Sequence, residues 1–303
     1  MTAERLLDGP PPQDRPRINI IGCGRAAGSL ARLWLQVGAL RLGEVLNRDP
    51  VSAQRAVGEL GAGVAVANLD AMQPADFWLI GTGDDQVADV ASALGESGFA
   101  FDGALVFHLA GRFGLEVLAP LTGHGALLAA LHPVRSLTRE RLPLDEFENT
   151  ACVAEGSVEA LTRLRPLVTS IGGRWLPVSD IDRGLYHASV SIISNVTKAV
   201  AWKAQAWLEH AGLPADTAAA VTHQLLHSTM EDLFRSGARQ SITGPVVRGD
   251  TRTVAAHLES LRASHPRDVE VYRVLARTVL DLARERGDLD AATLRRFEAL
   301  LGD

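Results

Sequence analysis

Four groups of residues have the types and spacing to do chemistry. Gly22-Cys23-Gly24-Arg25-Ala26-Ala27-Gly28 packs three glycines and two alanines into one turn, directly after apolar Ile18-Asn19-Ile20-Ile21. Such a turn brings backbone N–H groups close to a phosphate with no Cβ in the way, and offers it a helix N-terminus. Thr82-Gly83-Asp84-Asp85, His108-Leu109-Ala110-Gly111 and His132-Pro133-Val134-Arg135-Ser136 each follow a short apolar run, so polar side chains gather where strands end. His187, Ser191 and Asn195 recur every four residues among Leu185, Val190, Ile192, Ile193 and Val196, a polar stripe on an apolar helix. An imidazole there could give a proton to a developing alkoxide, while the hydroxyl and amide hold the carbonyl. Arg248, set among the turn residues of Thr243-Gly244-Pro245-Val246-Val247-Arg248-Gly249-Asp250, could clamp a carboxylate with two N–H groups, as could Arg135.

The elements around the first group favour a dinucleotide. A strand precedes the glycines, and a helix carrying Leu30, Leu33, Trp34 and Val37 follows them. The second strand, Leu42 to Leu46, ends in Asn47-Arg48-Asp49. A carboxylate at that strand end accepts from the ribose 2′-OH of NAD, whereas an arginine there pairs with the 2′-phosphate of NADP. Asn47 and Arg48 therefore favour NADP, and Asp49 keeps NAD as the alternative. The expected cofactor-binding set is Gly22, Cys23, Gly24, Arg25, Ala26, Ala27, Asn47, Arg48, Thr82, Gly83, Asp84 and His108.

Strands and helices alternate from Arg17 to about Ser179, which predicts an α/β domain with a parallel sheet over 17–178, preceded by an arm over 1–16. The last strands expected are Ala151 to Ala154 and Arg174 to Val178, around a helix over Val158 to Ser170. Beyond residue 179 the period becomes helical. Ser179-Asp180-Ile181-Asp182 has the side chains of a capping box opening a long helix to about Gly212. Helices follow over Ala215–Arg235, Asp250–Ala263, Pro266–Arg286 and Asp290–Leu301, so 179–303 reads as all-α. That much helix must bury apolar faces, which predicts a homodimer through the C-terminal domain, with Trp202 and Trp207 as anchors.

Composition narrows the partners. With 47% apolar and 22% charged residues and a formal charge of −6, the chain is globular and has no general attraction for nucleic acid or an anionic membrane. Cys23 and Cys152 have neither metal nor disulfide spacing, and no apolar run is long enough to span a bilayer, which fits a reducing cytoplasm. His223, His227 and Glu231 are spaced as metal ligands on a helix but lack a fourth ligand, so no metal is expected.

Taken together, the Gly22–Gly28 turn, Ile80 to Asp85, His108 to Gly111, Leu131-His132-Pro133, Tyr186-His187 through Ser194-Asn195, and Thr243 to Asp250 resemble a bacterial family that joins a Rossmann-like domain to a helical domain of unknown function, number 2520. The architecture is also similar to ketopantoate reductase, pyrroline-5-carboxylate reductase and the β-hydroxyacid dehydrogenases. The resemblance implies an NADP-dependent oxidoreductase for a small 2-oxo acid, ketopantoate being the most concrete substrate. His187 would be the proton donor with Ser191 and Asn195 beside it, and His132 the next candidate. The β-hydroxyacid dehydrogenases carry a lysine at this helix position, which this chain lacks. Two alternatives stay open: a non-catalytic NADP-binding regulatory module, and a reductase of a cyclic imine or prephenate-like acid.

Overall fold

Among the described residues, short β-branched and apolar runs, cut by turns, become eight strands of one sheet. The computed structural model describes residues 12–137 and 142–302. The strands are β1 (Arg17–Ile21), β2 (Arg41–Leu46), β3 (Val64–Val66), β4 (Phe77–Ile80), β5 (Leu105–His108), β6 (Leu127–Pro133), β7 (Ala151–Gly156) and β8 (Arg174–Pro177). Their order is β3-β2-β1-β4-β5-β6-β7-β8, so the chain reverses its direction of winding between β1 and β4. In sheets of this kind ligands bind outside the carboxyl ends of the strands at that reversal. Ile21 pairs with Ile80 there, and Gly81 N donates to Ile21 O at 2.8 Å.

The sequence predicts a parallel sheet, and every pair but one is parallel. β7 runs antiparallel to β6, with His132 opposite Val153. The described residues linking β6 to β7 hold a single helical turn, Leu144–Phe147, rather than a crossover helix. A parallel return needs a crossover, which the described residues of this connection do not form.

Helices α1 (Arg25–Gln36), α2 (Pro50–Leu60) and α4 (Val158–Ser170) share one apolar core with the sheet, centred on Ile18, Ile20, Trp34, Phe107 and Leu164. On the other face α3 (Val87–Glu96) packs with Trp78, Ile80, Phe101, Val106 and Leu121. The buried Trp34 donates its indole N–H to Leu167 O at 2.8 Å, tying α1 to α4. A polar network sits at the amino ends of β1 and β2. Asn19, fully buried, donates to Gln73 O and accepts from Glu44 N, while Arg17 pairs with Glu44. Gly43 leaves room for it, since a Cβ there would lie 2.3 Å from the Asn19 side-chain oxygen.

After β8 the chain is helical: α5 (Arg183–Ser191), a π-helical turn (Ile192–Val196), α6 (Thr197–His210), α7 (Ala215–Ser236), α8 (Thr251–Ser264), α9 (Val269–Arg286) and α10 (Ala291–Leu301). The capping box does not form. Asp180 has φ +54°, a left-handed residue that cannot enter a helix, and Asp182 caps α5 instead by accepting from Leu185 N at 2.9 Å. The chain divides into two compact units, residues 1–197 and 198–303, so α5 and the π turn belong with the sheet. In the second unit Val254, Leu258, Ala276, Leu280, Phe297 and Leu301 form the core. No described helix is long and apolar enough to cross a membrane.

Trp34→Phe keeps the packing but leaves the Leu167 carbonyl without its indole donor. It should lower the free energy of unfolding by about 1–3 kcal/mol, read from urea denaturation followed by circular dichroism.

Candidate functional site

The β1–α1 turn is built by exclusion. Gly22 has φ +84°, and a Cβ on it would lie 2.5 Å from Thr82 Cγ2. A Cβ on Gly81 would lie 2.4 Å from the Cβ of Ala27. Three small residues thus let the turn, the end of β4 and the first turn of α1 touch. Gly22 N donates to Leu46 O, and Cys23 N donates to the side-chain oxygen of Asn47 at 2.7 Å, so the end of β2 braces the turn.

A cavity of about 930 Å³ opens beside this turn, lined by Gly22 to Arg25, Asn47 to Asp49, Asn68 and Gly81 to Gly83 among others. Its size suits a dinucleotide or a drug-sized ligand. Arg25, Arg32, Arg48 and Arg55 all line it, alongside Ser52 and Gln86. The Thr82 hydroxyl is buried and has no hydrogen-bond partner. Bare backbone at the turn, an orphaned hydroxyl on the wall, Arg48 after β2 and Arg55 on α2 are the donor set a dinucleotide asks for.

Several expected ligands take other roles. Asn47 accepts from Cys23 N and donates to Ser52 Oγ at 3.1 Å, so its amide shapes the turn. Asp49 caps α2, accepting from Val51 N at 3.1 Å and Ser52 N at 3.2 Å. Burial first, and then Glu59, push the Cys23 thiol up to about 11, which keeps it protonated and poorly nucleophilic. His108 is a correction. It is fully buried, Nε2 lies 2.8 Å from Gly114 O, and Nδ1 accepts from Ala110 N. Both nitrogens are engaged in closing the 108–114 loop, so neither faces a ligand.

A second constellation stands at the carboxyl end of β6, where α5 passes. His132 Nδ1 lies 2.7 Å from the Tyr186 hydroxyl, their rings meeting edge to face. Gly111 makes room for the imidazole, since a Cβ there would lie 2.9 Å from Nε2. Burial first, then the charges of His187 and Arg183, push His132 down to about 4, so the ring is neutral near pH 7. Burial raises Tyr186 above its ordinary value, so its hydroxyl keeps its proton. Arg183 is buried at 8% exposure and donates from Nε and Nη2 to one oxygen of Glu155, Nε at 2.9 Å. Its remaining nitrogen, Nη1, is buried with no partner. The guanidinium carbon sits 5.8 Å from the centre of the Tyr186 ring. Asp84, from the loop after β4, is close enough to act electrostatically on His132. This links the cluster to the Thr82-Gly83 wall of the cavity.

His187 is half-buried beside His132, and Ser191 is half-buried at the end of α5. Asn195 is exposed. It lies within the π turn, whose wider winding takes it off the α-helical register that set the four-residue spacing. Arg135 is exposed and paired with Glu146 at 3.1 Å, so it is not held as a carboxylate clamp. Arg248 lies in the second unit, exposed, one residue before the glycine that precedes the Asp250 cap of α8. Among the described residues no group of three His, Cys, Asp or Glu is arranged to hold a metal; His223 and His227 stack on each other instead.

Residues 9–133 match the Rossmann-like domain family, and residues 150–279 match DUF2520, a domain of unknown function. Residues 9–133 are thus a Rossmann-like domain and residues 150–279 a DUF2520 domain. No curated protein matches it. Among solved structures it is similar to an NADP oxidoreductase candidate from Bacteroides fragilis, with 21% identity, TM-score 0.70, and 88% of this chain and 98% of that one covered. An imine reductase from Pseudomonas sp. shares 16% identity, TM-score 0.62, with 94% and 99% covered. A pyrroline-5-carboxylate reductase from Coxiella burnetii shares 18% identity, TM-score 0.55, with 90% and 98% covered. These likenesses establish the fold of the DUF2520 protein.

Sequence reasoning did not single out Tyr186, Arg183, Arg32, Ser52 or Arg55. Tyr186 sits one residue before His187, and one helical step turns a side chain through about 100°, which alone decides which of the two meets His132. Arg55 and Ser52 were readable as the face of α2 beside Arg48. Arg183 carried no signal, because its importance lies in what surrounds it.

Two outcomes follow. Gly22→Ala should cost on the order of 1–3 kcal/mol of stability, since it combines a left-handed φ with a clash on Thr82, and chemical denaturation will show it. His132 titrates at about 4 in the folded protein against an ordinary 6.5, so between those values the unfolded chain binds more protons. Stability should therefore fall as pH drops from about 6.5 toward about 4. The slope of unfolding free energy against pH in that window should shrink in His132→Asn.

Proposed function

We propose that the protein binds NADP(H) and reduces a small 2-oxo acid. One observation carries the reading: a Cβ-free turn at the β1/β4 reversal opens onto a dinucleotide-sized cavity lined by Arg48 after β2 and Arg55 on α2. Gly22 and Gly24 would approach the pyrophosphate, the start of α1 would face it, and Thr82 would bond the nicotinamide half. Arg48 and Arg55 would pair with a 2′-phosphate. Asp49, the residue that would favour NAD, already serves the cap of α2. The dinucleotide, when bound, supplies hydride. The end of β6, with His132, Tyr186 and His187, is where the chain would supply the proton. Ketopantoate is the first 2-oxo acid to try. The likeness to an imine reductase and a pyrroline-5-carboxylate reductase favours a cyclic imine as the second substrate class.

A second copy of the chain completes the reading. Trp202 is 71% exposed and Phe234 82%, apolar surface that a homodimer would cover. Trp207 does not belong with them, because its indole donates to Asp268 at 3.0 Å. The two thiols, free and held protonated, suit the reducing cytoplasm as its compartment.

Fluorescence titration should show tighter binding of NADPH than NADH. Arg48→Ala should weaken NADPH by about 1.5–3 kcal/mol, ten- to hundredfold, and leave NADH nearly unchanged. Equal losses for both would refute the 2′-phosphate assignment. NADPH consumption that responds to no member of a panel of 2-oxo acids and cyclic imines would refute the reductase. Light scattering should give a dimer at micromolar concentration, and Trp202→Glu a monomer.

A further inference from the structure

Arg183 presents a problem of physical chemistry. Its side chain is 8% exposed, its ion pair is with Glu155, and that pair uses only Nε and Nη2. Both bonds go to a single carboxylate oxygen, so Glu155 does not form the two-oxygen fork that would satisfy an arginine fully. Nη1 is left buried with no acceptor. A buried donor without a partner is costly, more so on a charged group, and such groups persist where a ligand completes them. Its surroundings limit what that ligand can be. Tyr186 lies beside it with a protonated hydroxyl and His132 is neutral; His187 and Asp84 also act on His132, with opposite signs, and Arg183 Nη1 is the cationic donor left open. An anion with planar oxygens fits this donor best.

We propose that Arg183 binds the carboxylate of the substrate through Nη1, and that Tyr186, held by His132, gives the proton to the adjoining C=O or C=N bond. This rests on the reductase reading above. In the Nδ1–H tautomer His132 donates to the phenol oxygen, which leaves the Tyr186 O–H free to face the substrate. As a hydride from the reduced nicotinamide dinucleotide joins the carbon, the π pair moves to the oxygen or nitrogen, and that atom takes the Tyr186 proton. The phenolate is stabilised by His132 and by the Arg183 charge until water returns a proton. Tyr186 is thus the catalytic residue, His132 a positioning residue, and Arg183 the residue that selects anionic substrates. The role given to Arg135 and Arg248 from sequence passes to Arg183, which is buried where they are exposed.

Two probes of one shape and different charge test this: oxamate, which carries a carboxylate, and oxamide, which does not. Calorimetry on the full chain with NADP present should show oxamate binding at least about tenfold tighter than oxamide. Arg183→Lys keeps a cation for Glu155 but loses the fork, and should remove that preference while leaving NADP affinity intact. The chain has two tyrosines, so Tyr272→Phe leaves Tyr186 as the sole source of a tyrosinate absorbance. In that protein oxamate should move the tyrosinate titration to higher pH, and oxamide should not. This second measurement stands even where Arg183→Lys fails to fold. Equal binding of the two probes, binding of neither, an unchanged preference in Arg183→Lys, or an unmoved tyrosinate titration would each overturn the proposal. Oxamate selectivity without any NADP binding would sink the reductase reading and leave the anion site standing.

Discussion

The close approach of three backbone segments at the β1/β4 reversal is the constraint on which the rest depends. Gly22, Gly81 and Ala27 are small because the turn, the end of β4 and the start of α1 occupy nearly the same space. That contact sets where α1 begins, and therefore where its unpaired N–H groups gather. It also fixes Thr82 as a wall residue with an unpaired hydroxyl. Asn47 locks the same turn from the side of β2, so the arginines of α2 and of the β2 end arrive at a set distance from it. The cavity is a consequence of packing that leaves no room for side chains at its floor.

The second constellation follows a different logic, that of polar groups kept in an apolar setting. Burial holds His132 neutral and Tyr186 protonated, while Arg183 is paired with Glu155. β7 carries Glu155 beside β6, opposite Ala130 and within reach of α5.

Periodicity and turn chemistry were enough to place the strands and most helices, because both are local. Several apolar runs ended at glycine or proline, as at Gly22, Gly81, Pro133 and Pro177, and Asp250 was readable as a cap. The glycine turn was readable for the same reason, since positive φ and missing Cβ atoms belong to residue types. The helix start near 179 was misplaced because Asp180 adopts a left-handed φ that no spacing rule anticipates. The stripe of His187, Ser191 and Asn195 assumed uniform winding, and the π turn broke it.

What the sequence determined by itself is the order of elements, the turn that could meet a phosphate, and the place of Arg48 after β2. These depend on neighbours within a few positions, where residue type dictates conformation. Tertiary structure alone decided that His108 is sealed against Gly114 and that Tyr186 rather than His187 meets His132. It alone decided that Arg183 is left with one buried, unpaired nitrogen. Each of these rests on groups 6 to 54 residues apart in the chain, or on the absence of any group at all. Burial and partnership over such distances are properties of packing, and no local pattern encodes them.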